Sequence, residues 1–251
     1  MAIATQAPMM ARAGSYGVRD EIVNPNRQTA VLVGALFLIS TATFIVSNAL
    51  ITPILGSHNY VANVADHSHV MIAAALIALV EGTATFGIAI ALYPTVKRHH
   101  PALALGFAGM RIAELVIATV FALSALLLVT ASATAAHGPT AEALANLLVG
   151  LRHWTLMLIY VYTAIGGLML TFMLFKTRLV PRGLSVLGLI GYPALLLVAV
   201  LDMLGVVDTV AGVGLVGLVP GGLFEFLLPL WLFAQGFNVA AVDGIRHRAS
   251  V

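Results

Sequence analysis

The sequence predicts an all-α, polytopic transmembrane helix bundle with about six spans and both termini in the cytoplasm. Three observations predict it. Apolar residues make up 61% of the 251 positions, and Asp, Glu, Lys and Arg together only 9%. Soluble domains carry roughly 25% charged residues, so a chain this poor in charge could not cover its surface with polar groups. Six stretches reach the roughly 20 mostly apolar residues that a span requires. Finally, ten of the twelve basic residues lie in the tails and in alternate breaks between those stretches.

Residues 1–26 hold Arg12 and Arg19 but no apolar run, and read as a polar cytoplasmic tail, not as a cleavable signal peptide. The transmembrane domain follows over residues 27–240, and residues 241–251 form a second short cytoplasmic tail. The spans fall at Gln28–Leu55, His69–Thr95, Ala102–Ala131, Ala143–Phe175, Gly183–Leu204 and Leu218–Phe237. Turn chemistry separates them: Gly56-Ser57-His58-Asn59, the Lys97–Pro101 run, His137-Gly138-Pro139, Arg178–Arg182 around Pro181, and the glycine-rich Gly205–Gly217.

Orientation follows from the positive-inside rule. Arg12, Arg19 and Arg27 precede the first span, and Lys97 and Arg98 follow the second. Lys176, Arg178 and Arg182 follow the fourth, and Arg246 and Arg248 follow the sixth. The other three breaks hold no Lys or Arg, so ten of the twelve basic residues fall on one side. Five or seven spans would destroy this alternation. The net charge of +2 suggests no nucleic-acid partner, and no internal repeat argues for a transporter built from two halves. Cysteine is absent, which excludes disulfides, thiolate nucleophiles, iron–sulfur clusters and C-x-x-C-H haem attachment.

Six charges lie in or at the edge of spans: Glu81, Arg111, Glu114, Arg152, Asp202 and Glu225. A charge at a helix centre costs on the order of 2.5–3.5 kcal/mol on insertion scales unless it is paired or reaches water. Arg111 stands roughly 14 Å from the start of its span, too deep to snorkel easily. Glu114 is one turn further on the same face, so the two pair at i,i+3 spacing. Glu81 reaches similar depth with no partner on its own helix. It needs Arg111 or Arg152 across the bundle, or a proton. Arg152, Asp202 and Glu225 read as closer to the outer surface. Headgroups, loop water and the start of span six after Pro220-Gly221-Gly222 would each explain one of them.

Asp66, His67 and His69 cluster at the outer end of span two, and His153 lies at the outer end of span four. Imidazole and carboxylate are zinc ligands, but histidines at i,i+2 diverge by about 160° on a helix. Two histidines on different helices would also suit a haem iron, here His69 and His153. On span four, Arg152, Thr155 and Tyr162 share a rough face, and His153, Met157 and Tyr160 the neighbouring one. This pattern fits a pocket of polar tips on apolar bodies, and equally ordinary interhelical bonding with an aromatic belt around Trp154.

Four segments then carry a resemblance. They are Ala91–Arg98 (ALYPTVKR), Leu103–Gly106 (LALG) with Arg111 and Glu114, Arg178–Arg182 (RLVPR), and Leu223–Glu225 (LFE) running through Trp231 to Gly236-Phe237. In this order they resemble a bacterial integral membrane family known as domain of unknown function 4386, over about residues 28–240. The resemblance implies a multi-pass protein of the bacterial inner (plasma) membrane, with Arg111, Glu114 and Glu225 at motif positions. It supplies no activity and no cofactor. His67, His69 and His153 match none of its motifs.

Three functions compete. The first is a buried polar or ionic pocket in the mid-to-outer half of the bundle, lined by Glu81, Arg111, Glu114, Arg152, His153, Tyr162 and Glu225. It would bind a small polar or amphipathic ligand, lipid-like or quinone-like, with a carboxylate available as general acid or base. The second is a haem- or metal-binding redox protein using His69 and His153. The third is a structural accessory subunit whose charges only fix helix packing. Membrane lipids are its surroundings in each case, and an oligomer is compatible with all three.

Overall fold

A computed structural model describes residues 25–134, 139–209 and 212–238. The two tails, with Arg12, Arg19, Arg246 and Arg248, and most of the His137 turn lie outside the described residues. Seven helices are present among those described: α1 (Pro25–Leu55), α2 (Tyr60–Asp66), α3 (Ser68–Val96), α4 (Pro101–Thr134), α5 (Pro139–Thr177), α6 (Arg182–Met203) and α7 (Gly212–Ala234). All but α2 are long and apolar enough to cross a membrane, so the six spans stand. Their outer faces are apolar: on α4, Ile112, Val116 and Leu123 are exposed while Arg111, Glu114, Ala118 and Phe121 turn inward. Charge inside and hydrocarbon outside suits a lipid solvent, where the backbone must satisfy itself within each helix.

The six long helices form a closed ring in chain order. Each packs on the next, α1 on α3 and so on round to α6 on α7, and α7 returns to α1. The connections are short, so consecutive helices run antiparallel. At one end the ring is tied by the Asn238 N–H donating to the Leu179 carbonyl at 2.9 Å. Arg27 Nη2 reaches the Phe233 carbonyl at 3.5 Å at the same end. At the other end, α2 lies against α1 and α4, and the Tyr60 hydroxyl donates to Asn146 Oδ1 at 2.7 Å.

The structure differs from the sequence reading in two elements. The stretch after Gly56 contains the short helix α2, too brief to show a period in the sequence. The last span begins at Gly212, not Leu218, and runs straight through Gly214, Gly217 and Pro220-Gly221-Gly222. Gly217 and Gly221 there serve close packing against α6. A Cβ on Gly191 of α6 would meet the Gly221 nitrogen of α7 at 2.5 Å, so the two backbones touch. Small residues at such crossings are how membrane helices approach each other without a hydrophobic drive.

Two apolar clusters fill the ring. One, toward the Leu179–Asn238 end, includes Phe37, Ile88, Phe107, Leu170, Tyr192 and Phe224. The other, toward α2, includes Ile51, Met71, Ala78, Ala118, Phe121 and Leu128. Glu81, Arg111, Glu114 and Thr163 fall in sequence between members of the two clusters on their own helices, and so mark a polar layer between them.

Candidate functional site

In that layer lies a cavity of about 240 Å³ bordered by all six long helices. From α1 come Phe37, Ser40, Thr41 and Phe44; from α3, Glu81 and Thr85; from α4, Arg111 and Glu114. Helix α5 adds Tyr160 and Thr163, α6 adds Tyr192 and Leu195, and α7 adds Leu218, Glu225 and Phe226.

The polar groups form three separate arrangements. Arg111 Nη1 donates to Glu114 Oε2 at 2.6 Å, closing the i,i+3 pair on α4. Glu114 Oε1 in turn accepts from the Thr163 hydroxyl of α5 at 2.6 Å. Both members are buried, at 4% and 1% exposure, so the pair sits in a low-dielectric layer where geometry this close matters. Gly166 gives the guanidinium its seat: a Cβ there would lie 3.5 Å from Arg111 Nε.

Glu81 is the second arrangement. Its Oε1 accepts from Thr85 at a long 3.3 Å, while the Thr85 hydroxyl is also engaged with Ser40 at 2.7 Å. Glu81 Oε2 has no partner among the described residues, although the residue is only 7% exposed. Glu225 is the third. It accepts from Thr41 at 3.2 Å on Oε2 and from the Tyr192 hydroxyl at 3.4 Å on Oε1. Because α7 starts at Gly212, Glu225 lies thirteen residues into the helix and not at its outer beginning. Pro229 stands four residues beyond it and has no N–H, so the Glu225 carbonyl lacks its helical donor.

Four of the seven residues expected at the site, Glu81, Arg111, Glu114 and Glu225, therefore border one cavity. The other three do not. Arg152 lies about two turns further along α5 from Ile159, with its guanidinium 3.8 Å from the centre of the Phe121 ring and Nη2 3.4 Å from Asn48 Oδ1. His153 Nε2 lies 3.3 Å from Asp202 Oδ1, whose Oδ2 accepts from the Thr209 N–H at 2.6 Å. Asp202 thus caps the chain before α7 and does not face loop water alone. Tyr162 is not among the lining residues, because α5 turns Ile159, Tyr160 and Thr163 to the cavity instead.

His67 and His69 are exposed on the α2–α3 junction, and His67 Nδ1 lies 3.0 Å from the Asn63 carbonyl. His69 and His153 sit on α3 and α5, which α4 separates in the ring. Among the described residues no group of three or more His, Asp or Glu could hold a metal ion.

Sequence reasoning missed Thr41, Thr85, Thr163 and Tyr192. Hydroxyls are common in spans, and Thr43, Thr83 and Thr119 merely bond back to their own helices. Nothing in the chain distinguishes the two kinds. Tyr192, a phenol inside a span and next to Pro193, was the one visible signal.

The pattern of the domain of unknown function DUF4386 matches residues 32–236, and the chain belongs to that family. No curated protein and no solved structure matches the chain.

Proposed function

We propose that this member of the domain of unknown function 4386 family binds a small amphipathic molecule inside its six-helix ring, in the plasma membrane of a bacterial cell. One observation carries the reading: all six spans contribute to a single cavity whose wall combines carboxyl and hydroxyl groups with aromatic and aliphatic side chains. Ligand sites have this character, a mainly apolar wall with a few convergent polar groups. Charges that served packing alone would be expected to end in ion pairs, as Arg111 and Glu114 do. Glu81 and Glu225 keep their carboxyls at the cavity with only hydroxyls as hydrogen-bond partners, which favours a ligand-facing role over a structural one. The basic loops at the Leu179–Asn238 end put that end, and with it both termini, in the cytoplasm by the positive-inside rule.

Native mass spectrometry of protein extracted in mild detergent tests this reading. A bound molecule should be released from the wild type and be depleted at least tenfold in Leu195→Trp, which fills the cavity. An identical set of bound molecules on both proteins would sink it.

A further inference from the structure

We infer that the ligand's head is an organic ammonium, and that it enters beside Glu81 and Glu225 in exchange for one proton held by their carboxyls. The inference rests on the ligand-binding reading above and specifies its chemistry.

Charge counting comes first. The cavity wall holds three carboxyl groups and one guanidinium. That guanidinium is already committed to Glu114 at 2.6 Å, and the second oxygen of Glu114 to Thr163. The pair is neutral, although Arg111 Nε is buried with no hydrogen-bond partner. Glu81 and Glu225 then remain without any ion pair among the described residues.

The groups facing them from each helix offer no base. Helix α1 brings Ser40 and Thr41, α5 brings Tyr160 and α6 brings Tyr192; only α4 brings a cation, Arg111, whose one ion pair is with Glu114. Arg152, the other basic residue within the spans, rests on Phe121 and Asn48 and forms no ion pair. Two bare carboxylates inside a membrane bundle are costly. Protons or a bound cation must neutralise them.

The shape of the wall selects among cations. Calcium takes six to eight oxygen ligands and magnesium a tight octahedron, whereas among the described residues the three carboxyls are not grouped so as to hold a metal ion. Phe37, Phe44, Phe226, Tyr160 and Tyr192 border the same space, and aromatic faces attract quaternary and alkylated ammonium groups. The unpartnered Oε2 of Glu81, on a residue only 7% exposed, is the acceptor such a head would meet.

Exchange gives the site a signature. Each proton released per cation bound makes the affinity rise about tenfold per pH unit over the range in which the carboxyl is protonated.

A permanently charged probe makes the test clean, because benzyltrimethylammonium carries no proton of its own. It would be titrated calorimetrically into the purified full-length protein at several pH values, in two buffers of different protonation enthalpy. Binding with release of about one proton, tightening with pH, is the expected result. Glu81→Gln should reduce the proton release and weaken binding at least tenfold. The neutral carbon isostere neopentylbenzene and the anionic benzenesulfonate should bind at least tenfold more weakly than the cation. Binding of the cation without proton release, or equal binding of the isostere, would overturn the inference and leave an amphipathic cavity standing. Binding of none of the three would overturn it together with the cavity reading. The wild-type proton count decides the matter even if Glu81→Gln fails to fold.

Discussion

The ring of Tyr192 on α6 occupies the space that a side chain on Gly167 of α5 would need. A Cβ built on Gly167 collides with three carbons of that ring, while the Tyr192 hydroxyl reaches on to Glu225 of α7 at 3.4 Å. One glycine therefore sets how α5, α6 and α7 meet around the cavity. Gly167→Ala should lower the melting temperature in detergent by the equivalent of about 1–3 kcal/mol, the usual cost of overpacking. Gly150→Ala, on the same helix with nothing within 4 Å of the added carbon, should leave it unchanged or raise it. Equal effects of the two changes would show that the ring does not need the gap.

Arg111 and Glu81 differ in what their loss leaves behind. Removing Arg111 strands Glu114, which is 1% exposed and bonded to the guanidinium at 2.6 Å. Arg111→Ala should therefore destabilise the protein by about 3–5 kcal/mol. Glu81→Gln removes a carboxyl that has no ionic partner and keeps an acceptor for Thr85. It should unfold within about 1 kcal/mol of the wild type, since a neutral amide replaces an unpaired carboxyl. Thermal unfolding of both variants in one detergent decides it. Matching losses would mean that the charges serve packing alone.

How much of this was legible in the sequence depends on what lipid enforces. Span number and length were legible because the hydrocarbon thickness fixes them and the backbone has one way to cross it. The Arg111–Glu114 pair was legible because i,i+3 spacing on one helix is purely local. The rotation of α5 was not. Each of its faces carries polar tips on apolar bodies, and only packing against α4 and α6 decided that Tyr160 and Thr163 border the cavity while Arg152 and Tyr162 do not. The start of α7 was misread for a related reason. Gly212, Gly214 and Gly217 look like loop, yet Gly217 sits at a tight crossing against Val198 of α6, where glycine is what a membrane helix uses. Restoring those turns to the helix is what moves Glu225 into the polar layer.

Orientation is open to direct measurement, since the chain has no cysteine to confuse labelling. His58 is exposed in the turn before α2, and Gly183 is exposed at the opposite end with open space around it. In intact cells a cysteine at His58 should react with an impermeant thiol reagent, and one at Gly183 should react only after the membrane is opened. The reverse pattern would invert the topology and place both termini outside.

His99, in the turn between α3 and α4, gives a pH dependence of known sign. Burial first, and the neighbouring His100 second, hold its imidazole below the ordinary value of 6.5. The unfolded chain then binds a proton at a pH where the folded one does not. Stability is complete above about 6.5 and declines as pH falls toward the depressed folded value. The melting temperature in detergent should drop between pH 8 and pH 5, and His99→Asn should make that drop smaller. An unchanged drop in the variant would assign the acid sensitivity to other groups.

Arg152 offers the sharpest contrast with Arg111, because the two buried guanidiniums have opposite surroundings. Arg111 has a carboxylate at 2.6 Å and borders the cavity. Arg152 is 7% exposed with no carboxylate in bridging range; it has the face of Phe121 at 3.8 Å, an amide oxygen at 3.4 Å, and an Nη1 with no partner. Its burial is therefore poorly compensated: the contact with Phe121 is worth up to about 2 kcal/mol, against an insertion cost of similar size for a charge in hydrocarbon. Methionine has a comparable reach, leaves no polar atom unpaired, and keeps a favourable sulfur contact with the ring. Arg152→Met should then shift stability by no more than about 1 kcal/mol in either direction. Since Arg152 does not border the cavity, it should also leave the affinity for benzyltrimethylammonium within about twofold, a difference of roughly 0.4 kcal/mol. Melting temperature and calorimetric affinity, read on the same preparation, separate the outcomes. Loss of affinity with stability intact would return Arg152 to the binding site, and would mean that the ligand reaches two turns further along α5 than the cavity does.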